Sequence, residues 1–149
     1  AKIGCPDTPV VGFSGDGAFG IAVTELTAIG RPEWPAVTTG VFRNYQWGAE
    51  KRNSTLWYDD NFVGTELDTQ VSYAGIAKAC GLQGVVAHTM EELTAALRKA
   101  VDDQMNHGKT TLIEAMINQE LGEPFRRDAM KKPVEVAGIS AADMRPQKG

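Results

Sequence analysis

The sequence predicts an α/β protein: a doubly wound, mostly parallel sheet with helices on both faces. Three observations carry that reading. Short apolar runs alternate with stretches of helical period along the chain. The first apolar run, Val10-Val11-Gly12-Phe13, leads into Gly15-Asp16-Gly17, a composition suited to a strand-to-helix turn. Glycines and a capping pair then punctuate the pattern, at Gly30, Gly81, Gly108 and at Thr89 with Glu92.

Residues 10–13 form a continuous apolar run, which predicts a strand buried on both faces. Residues 18–29 follow as a helix, because Phe19, Val23, Leu26 and Ile29 recur close to helical spacing and would supply its packing face. Gly30 is the expected left-handed stop, with Pro32 beyond it. Residues 36–42 are the second strand. The segment 43–71 is rich in Trp, Asn and Asp, lacks a clear period, and reads as a long loop of the kind that is usually functional or disordered. A helix over 72–80 places Tyr73, Ile76, Ala77 and Cys80 on one face and ends at Gly81. A short strand at 85–87 precedes the Thr89 and Glu92 capping box of a helix over 91–106, and a strand at 111–117 follows Gly108. Little periodicity remains after residue 125. The expected division is therefore a domain over 1–125 and an extended or mobile tail over 126–149. Residues 1–4 read as the end of a helix, so the domain is expected to be truncated at its N-terminus.

With 149 residues and 42% hydrophobic content, the chain is sized for one domain with a real core. A net charge of -4 gives no electrostatic reason to expect a nucleic-acid partner. No apolar stretch approaches the roughly 20 residues of a bilayer span, and no basic-then-apolar leader is present, so no membrane partner is expected. Cys5 and Cys80 lie far apart without metal-type spacing, which fits reduced thiols in a cytoplasmic protein, with Cys80 in the core. His88 and His107 are separated and lack an obvious acid or thiol partner in the sequence, so they are assigned to capping or surface roles.

The chemistry concentrates at Gly15-Asp16-Gly17 and, with 26 residues between Gly17 and it, at Asn44. At a strand-to-helix turn, free backbone N–H groups and the positive end of the helix dipole suit an anion such as a diphosphate. The Asp16 carboxylate would face the same crevice as a hard oxygen ligand for magnesium, and Asn44, at the end of the next strand, would add a neutral amide oxygen. A lone Gly-Asp-Gly is common in turns for conformational reasons alone. Here a buried strand precedes it, an amphipathic helix follows, and an Asn ends the next strand, at the carboxyl ends of strands where open α/β sheets bind ligands.

This arrangement resembles the signature of the thiamine diphosphate-dependent enzymes, a Gly-Asp-Gly followed after some two dozen residues by an Asn. The resemblance implies the family's diphosphate-binding domain, with thiamine diphosphate and Mg2+ as cofactors. On it, Asp16 and Asn44 match the side-chain metal ligands, and Gln46 matches the position whose backbone carbonyl completes the protein's share. Gly15, Gly17 and Ala18 match the cofactor turn, the amides of Gly17 and Ala18 meeting the phosphates. The family often has a second Asn after the first, where this chain has Tyr45.

The stretches 44–53, 57–67 and 118–130 resemble those of the acetyltransferase branch of this family, and the likeness runs from about Lys2 to Ile139. It implies the small-molecule substrates sulfoacetaldehyde and phosphate, giving acetyl phosphate and sulfite. It also implies a homo-oligomer, and N-terminal domains of the same enzyme that supply a glutamate for the cofactor's pyrimidine ring. No catalytic residue is assigned within these 149, and the chain alone is expected to be inactive. The alternatives are the equivalent domain of an acetolactate synthase or pyruvate oxidase type enzyme, or a non-catalytic α/β module for magnesium or a nucleotide. Lys51 and Arg52 beside Trp47 are candidates for meeting an anion or simply solvated loop charges, as are Arg126, Arg127, Lys131 and Lys132 in the tail. Trp34, Trp47 and Trp57 are candidates for packing under the loop or for a subunit interface.

Overall fold

Four strands pair in parallel in the order β1-β2-β4-β3: β1 Val11–Gly15, β2 Thr38–Arg43, β3 Gln83–Ala87 and β4 Thr111–Met116. The structure, a computed structural model, describes residues 1–121. The expected tail over 126–149 and its basic residues lie outside the described residues. The helices are α1 Asp16–Ile21, α2 Leu26–Ile29, α3 Gly48–Trp57, α4 Tyr73–Ala79 and α5 Met90–Asn106. No helix among the described residues is long and apolar enough to cross a membrane.

The described residues divide into two compact units, 1–45 with 68–118 and 46–67 with 119–121. The sheet lies in the first. Its register puts Ser14, Val41, Glu114 and Val86 on one face and Phe13, Gly40, Ile113 and Val85 on the other. Leu26 of α2 and Tyr73, Ala74 and Ala77 of α4 cover the first face, in one cluster with Val41, Leu82 and Leu112. Helix α5 covers the other face, where Ala100 packs with Ala87 and Ile113. The doubly wound parallel sheet read from the sequence is the one observed. Burial of Leu26, Leu112 and Ile113, all at 2% exposure or less, stabilises the unit by about 1.5–3 kcal/mol per side chain.

The α4 face depends on one glycine. A Cβ at Gly84 would stand 2.0 Å from the Ala74 carbonyl oxygen, so β3 carries the α4 backbone directly on its own. The second unit is held by different contacts. Gln46 bridges to Glu66 in antiparallel fashion, the Trp47 N–H donates to the Thr65 carbonyl at 2.7 Å, and Lys51 pairs with Glu66.

Several expectations are corrected. The first strand is an edge strand of the sheet among the described residues, and Phe13 is 62% exposed, stacked on Phe42 at 5.7 Å. An apolar run does not by itself distinguish an edge from a centre. The helix expected over 18–29 is broken into α1, a 3-10 turn at Val23–Glu25, and α2. Phe19, Val23, Leu26 and Ile29 still pack as expected. Gly30 is not left-handed, since its φ is -77°. A Cβ there would lie 3.0 Å from both the Cys80 carbonyl and Leu82, so the glycine serves close packing. The expected loop over 43–71 contains α3. The capping box forms with a shift: the Glu92 N–H donates to Thr89 Oγ1, while the Glu92 carboxylate accepts from the N–H of His88, one residue before the cap.

Candidate functional site

Strand β1 ends at Gly15 and α1 begins at Asp16, so the chain turns with no side-chain cap at its helix start. A Cβ at Gly15 would meet nothing within 4 Å, so the turn opens onto free space. Asp16 is 2% exposed, and its carboxylate is held mainly by main-chain groups. Oδ1 accepts from the Gly17 N–H at 3.0 Å. Oδ2 accepts from the N–H of Asn44 at 3.1 Å and of Tyr45 at 2.7 Å, and from Arg43 Nη1 at 3.4 Å. Those two amides converge because Tyr45 has a φ of 61°, a left-handed conformation uncommon outside glycine and asparagine. Asn tolerates this region more readily, and here Tyr45 adopts it.

Arg43 is the centre of the buried charge. It is 1% exposed, at the end of β2. Besides Asp16, its Nη2 donates to the carbonyls of Asp68 at 2.7 Å and Val71 at 2.9 Å. Its Nε lies 3.4 Å from Glu114 Oε1, an ion-pair distance. Its Cζ sits 4.2 Å from the Tyr45 ring centroid and 4.9 Å from that of Tyr73. The other Glu114 oxygen accepts from Ser72 Oγ and from the Ala74 N–H at the start of α4. The Tyr73 hydroxyl donates to the Asp16 carbonyl at 2.9 Å. Burial raises the Tyr73 pKa; Arg43 works against that rise, while Asp16 and Glu114 add to it. The hydroxyl therefore stays a donor at neutral pH. Gly20 makes room for it, since a Cβ there would lie 2.7 Å from Tyr73 Oη.

The structure brings Gly15, Asp16, Gly17, Ala18 and Asn44 together at the carboxyl ends of β1 and β2, the backbone N–H of Asn44 donating directly to Asp16. Gln46 opens the second unit, where its buried side chain donates to the Gln119 carbonyl. The donor set around Gly15 and Asp16 fits a hard cation beside an anion. A carboxylate oxygen with one hydrogen bond and the open first turn of a helix are the groups such a pair requires. Sequence reasoning missed Arg43, Tyr73 and Glu114. The signal was a charge in each of two apolar strands, Val41-Phe42-Arg43 and Leu112-Ile113-Glu114-Ala115, since a buried charge demands a partner.

Other candidates are corrected. Lys51 pairs with Glu66 and lies 5.3 Å from the Phe62 ring centroid, so it is not a bare solvated charge. Arg52 donates to the Leu121 carbonyl at 3.3 Å. His107, expected to lack an acid partner, stands 3.6 Å from Asp102 at an exposed helix end.

The family described as thiamine pyrophosphate enzyme, C-terminal TPP binding domain, matches residues 1–115; thiamine pyrophosphate is another name for thiamine diphosphate. The chain is 84% identical over 147 residues to the sulfoacetaldehyde acetyltransferase of Rhodobacter capsulatus, covering 99% of this chain and 25% of that protein. It is also 84% identical over 148 residues to the enzyme of the same name from Roseovarius nubinhibens, covering 99% and 24%. The chain thus spans about a quarter of the length of these curated relatives. Among solved structures, the benzoylformate decarboxylase of Polynucleobacter necessarius superposes with a TM-score of 0.68 at 24% identity, over 83% of this chain and 22% of that one, a likeness of fold. With the family matched over most of its length and the Gly-Asp-Gly turn and Asn44 placed side by side, the chain belongs to the thiamine pyrophosphate enzymes, through their C-terminal TPP-binding domain.

Proposed function

We propose that this chain anchors the diphosphate of thiamine diphosphate through a magnesium ion, as part of an enzyme that converts sulfoacetaldehyde and phosphate to acetyl phosphate and sulfite. The observation that carries the substrate is the 84% identity, over 99% of the chain, to proteins named sulfoacetaldehyde acetyltransferase. The anchor is supported by the Asp16 carboxylate at the open turn after β1. In this reading Asp16 and the Asn44 side-chain oxygen ligate the ion, and the backbone carbonyl of Gln46 adds a third ligand. The amides of Gly17 and Ala18 take the phosphates, favoured by the helix dipole, with the Gly17 N–H shared between them and Asp16 Oδ1, to which it donates at 3.0 Å.

When bound, thiamine diphosphate supplies a nucleophilic carbon for attack on an aldehyde. The work of this chain is to hold that group at a fixed depth and angle, so that a reaction between two bound partners needs little further ordering. The burial of Asp16 helps, because a ligand held by main-chain amides does not reorganise when the cation arrives. The remaining machinery, including a glutamate for the pyrimidine ring and a second subunit, is assigned to the rest of the enzyme. The 149-residue chain by itself is expected to make no acetyl phosphate.

Calorimetric titration of thiamine diphosphate into the full-length protein, with and without magnesium, tests the anchor. Binding should require magnesium and be lost in Asp16→Ala. Equal binding without magnesium, or full binding by the variant, would overturn it. Sulfite release from sulfoacetaldehyde in the presence of phosphate tests the substrate, and release from no sulfonated aldehyde would sink that part alone.

A further inference from the structure

We propose that Arg43 is a positioning residue for Asp16, holding one carboxylate oxygen so that the other is presented to a divalent cation. The inference rests on the reading of Asp16 as a magnesium ligand. The two oxygens of Asp16 are treated unequally: Oδ2 receives three donors, and Oδ1 receives only the Gly17 N–H among the described contacts. A carboxylate so held cannot rotate to exchange its oxygens without breaking three hydrogen bonds. It is set for single-oxygen ligation through Oδ1.

Arg43 is fitted to that task by its own immobility. Two carbonyls, two carboxylates and two aromatic rings meet the guanidinium, and no other side chain offers so many donors in a fixed plane. It also joins sequence-distant pieces of the first unit. Asp16 follows β1, Asp68 and Val71 precede α4, and Glu114 lies in β4. The position of the carboxylate is therefore tied to three elements at once. Groups that orient a metal-binding side chain commonly change metal affinity about 10- to 100-fold when replaced. A plain counter-charge would not, provided the charge remained.

Arg43→Lys separates the two roles in the full-length protein, because an ammonium keeps the charge but cannot span both carboxylates and both carbonyls. The probe is Mn2+, followed by its electron paramagnetic resonance signal during titration in the presence of thiamine diphosphate, with magnesium-dependent calorimetry beside it. The cation concentration at half-saturation should rise about tenfold, while thiamine diphosphate binding at saturating cation is recovered. An unchanged midpoint in a folded Arg43→Lys protein overturns the proposal, even if its thermal stability falls. Asp16→Asn distinguishes the two levels of inference. Mn2+ binding that ignores Asp16→Asn overturns the anchor itself. Binding lost in Asp16→Asn but untouched in Arg43→Lys overturns only the role of Arg43. Should Arg43→Lys not fold, Tyr45→Leu removes one ring from the guanidinium and should raise the midpoint about twofold to fivefold; no change there overturns the proposal equally.

Discussion

Asp16 and Asp103 are both carboxylates withdrawn from solvent, each beside a basic side chain, and they differ in where that base resides. Asp16 faces Arg43, whose side chain is 1% exposed, while Asp103 faces Lys99 one helical turn away, whose side chain is 70% exposed. The Lys99 ammonium can itself turn to water, whereas Arg43 has no water to turn to. The same nominal ion pair is a structural necessity at the end of the sheet and an option on the surface of α5. Burial of the base, rather than the count of ion pairs, decides what a pair is worth. The Asp103 cluster also includes Asp102 and His107, with ligand atoms within 4.8 Å of one another, and those two companions are exposed. Chemistry is better placed where the charges are fixed.

The largest effect that sharpens this contrast belongs to Arg43→Met. It leaves Asp16 and Glu114 buried without their shared counter-charge and should cost about 3–5 kcal/mol, read as a large fall in the thermal unfolding midpoint. A loss comparable to that of a surface pair would erase the distinction.

Tyr73→Phe comes next. Removing the hydroxyl that donates to the Asp16 carbonyl should cost about 1 kcal/mol at neutral pH. Its pH dependence carries a definite sign. The Tyr73 pKa is raised in the fold, so its contribution is complete below about 10, the unfolded value, and is lost as pH rises through the folded value. In Tyr73→Phe the alkaline limb of the stability curve should therefore be shallower than in the parent. An identical limb would show that the hydroxyl ionises as freely in the fold as outside it.

Lys99→Ala should have the smallest effect. The hydrogen bond from Lys99 is the main cause that lowers the Asp103 pKa, so that contribution is present above 3.8 and lost as pH falls through the lowered folded value. The variant should be slightly less stable than the parent at neutral pH, with part of the acid-side slope gone, so that the two converge as pH falls. A drop as large as that of Arg43→Met would reverse the comparison.

Much of the fold was legible because local pattern and tertiary role coincide. In α5 the apolar positions Leu93, Ala96, Leu97 and Ala100 follow the helical period, and Thr89 caps the end where the pattern starts. In α3 they do not coincide: Ala49 to Thr55 is nearly all small or polar, so there was no periodicity to read. The break after α1 has no local sign either, since Gly20 sits under the Tyr73 hydroxyl, contributed by a helix more than fifty residues on. The site divides the same way. Gly15, Asp16 and Asn44 were visible as a spaced motif, while Arg43 and Glu114 acquire meaning only when β2 and β4 pair, Arg43 opposite Met116 and Val41 opposite Glu114.

The left-handed turn at Tyr45 leaves the ligand and its fine adjustment under separate control. Of the three groups on Asp16 Oδ2, two are peptide N–H groups, which any residue but proline would supply at positions 44 and 45. A substitution at 45 that keeps the left-handed turn would leave both N–H groups on the carboxylate and alter only the surface on which the guanidinium rests. Sequence drift of that kind would thus act as a tuning screw on affinity, with the grip on the carboxylate shared between the backbone and Arg43.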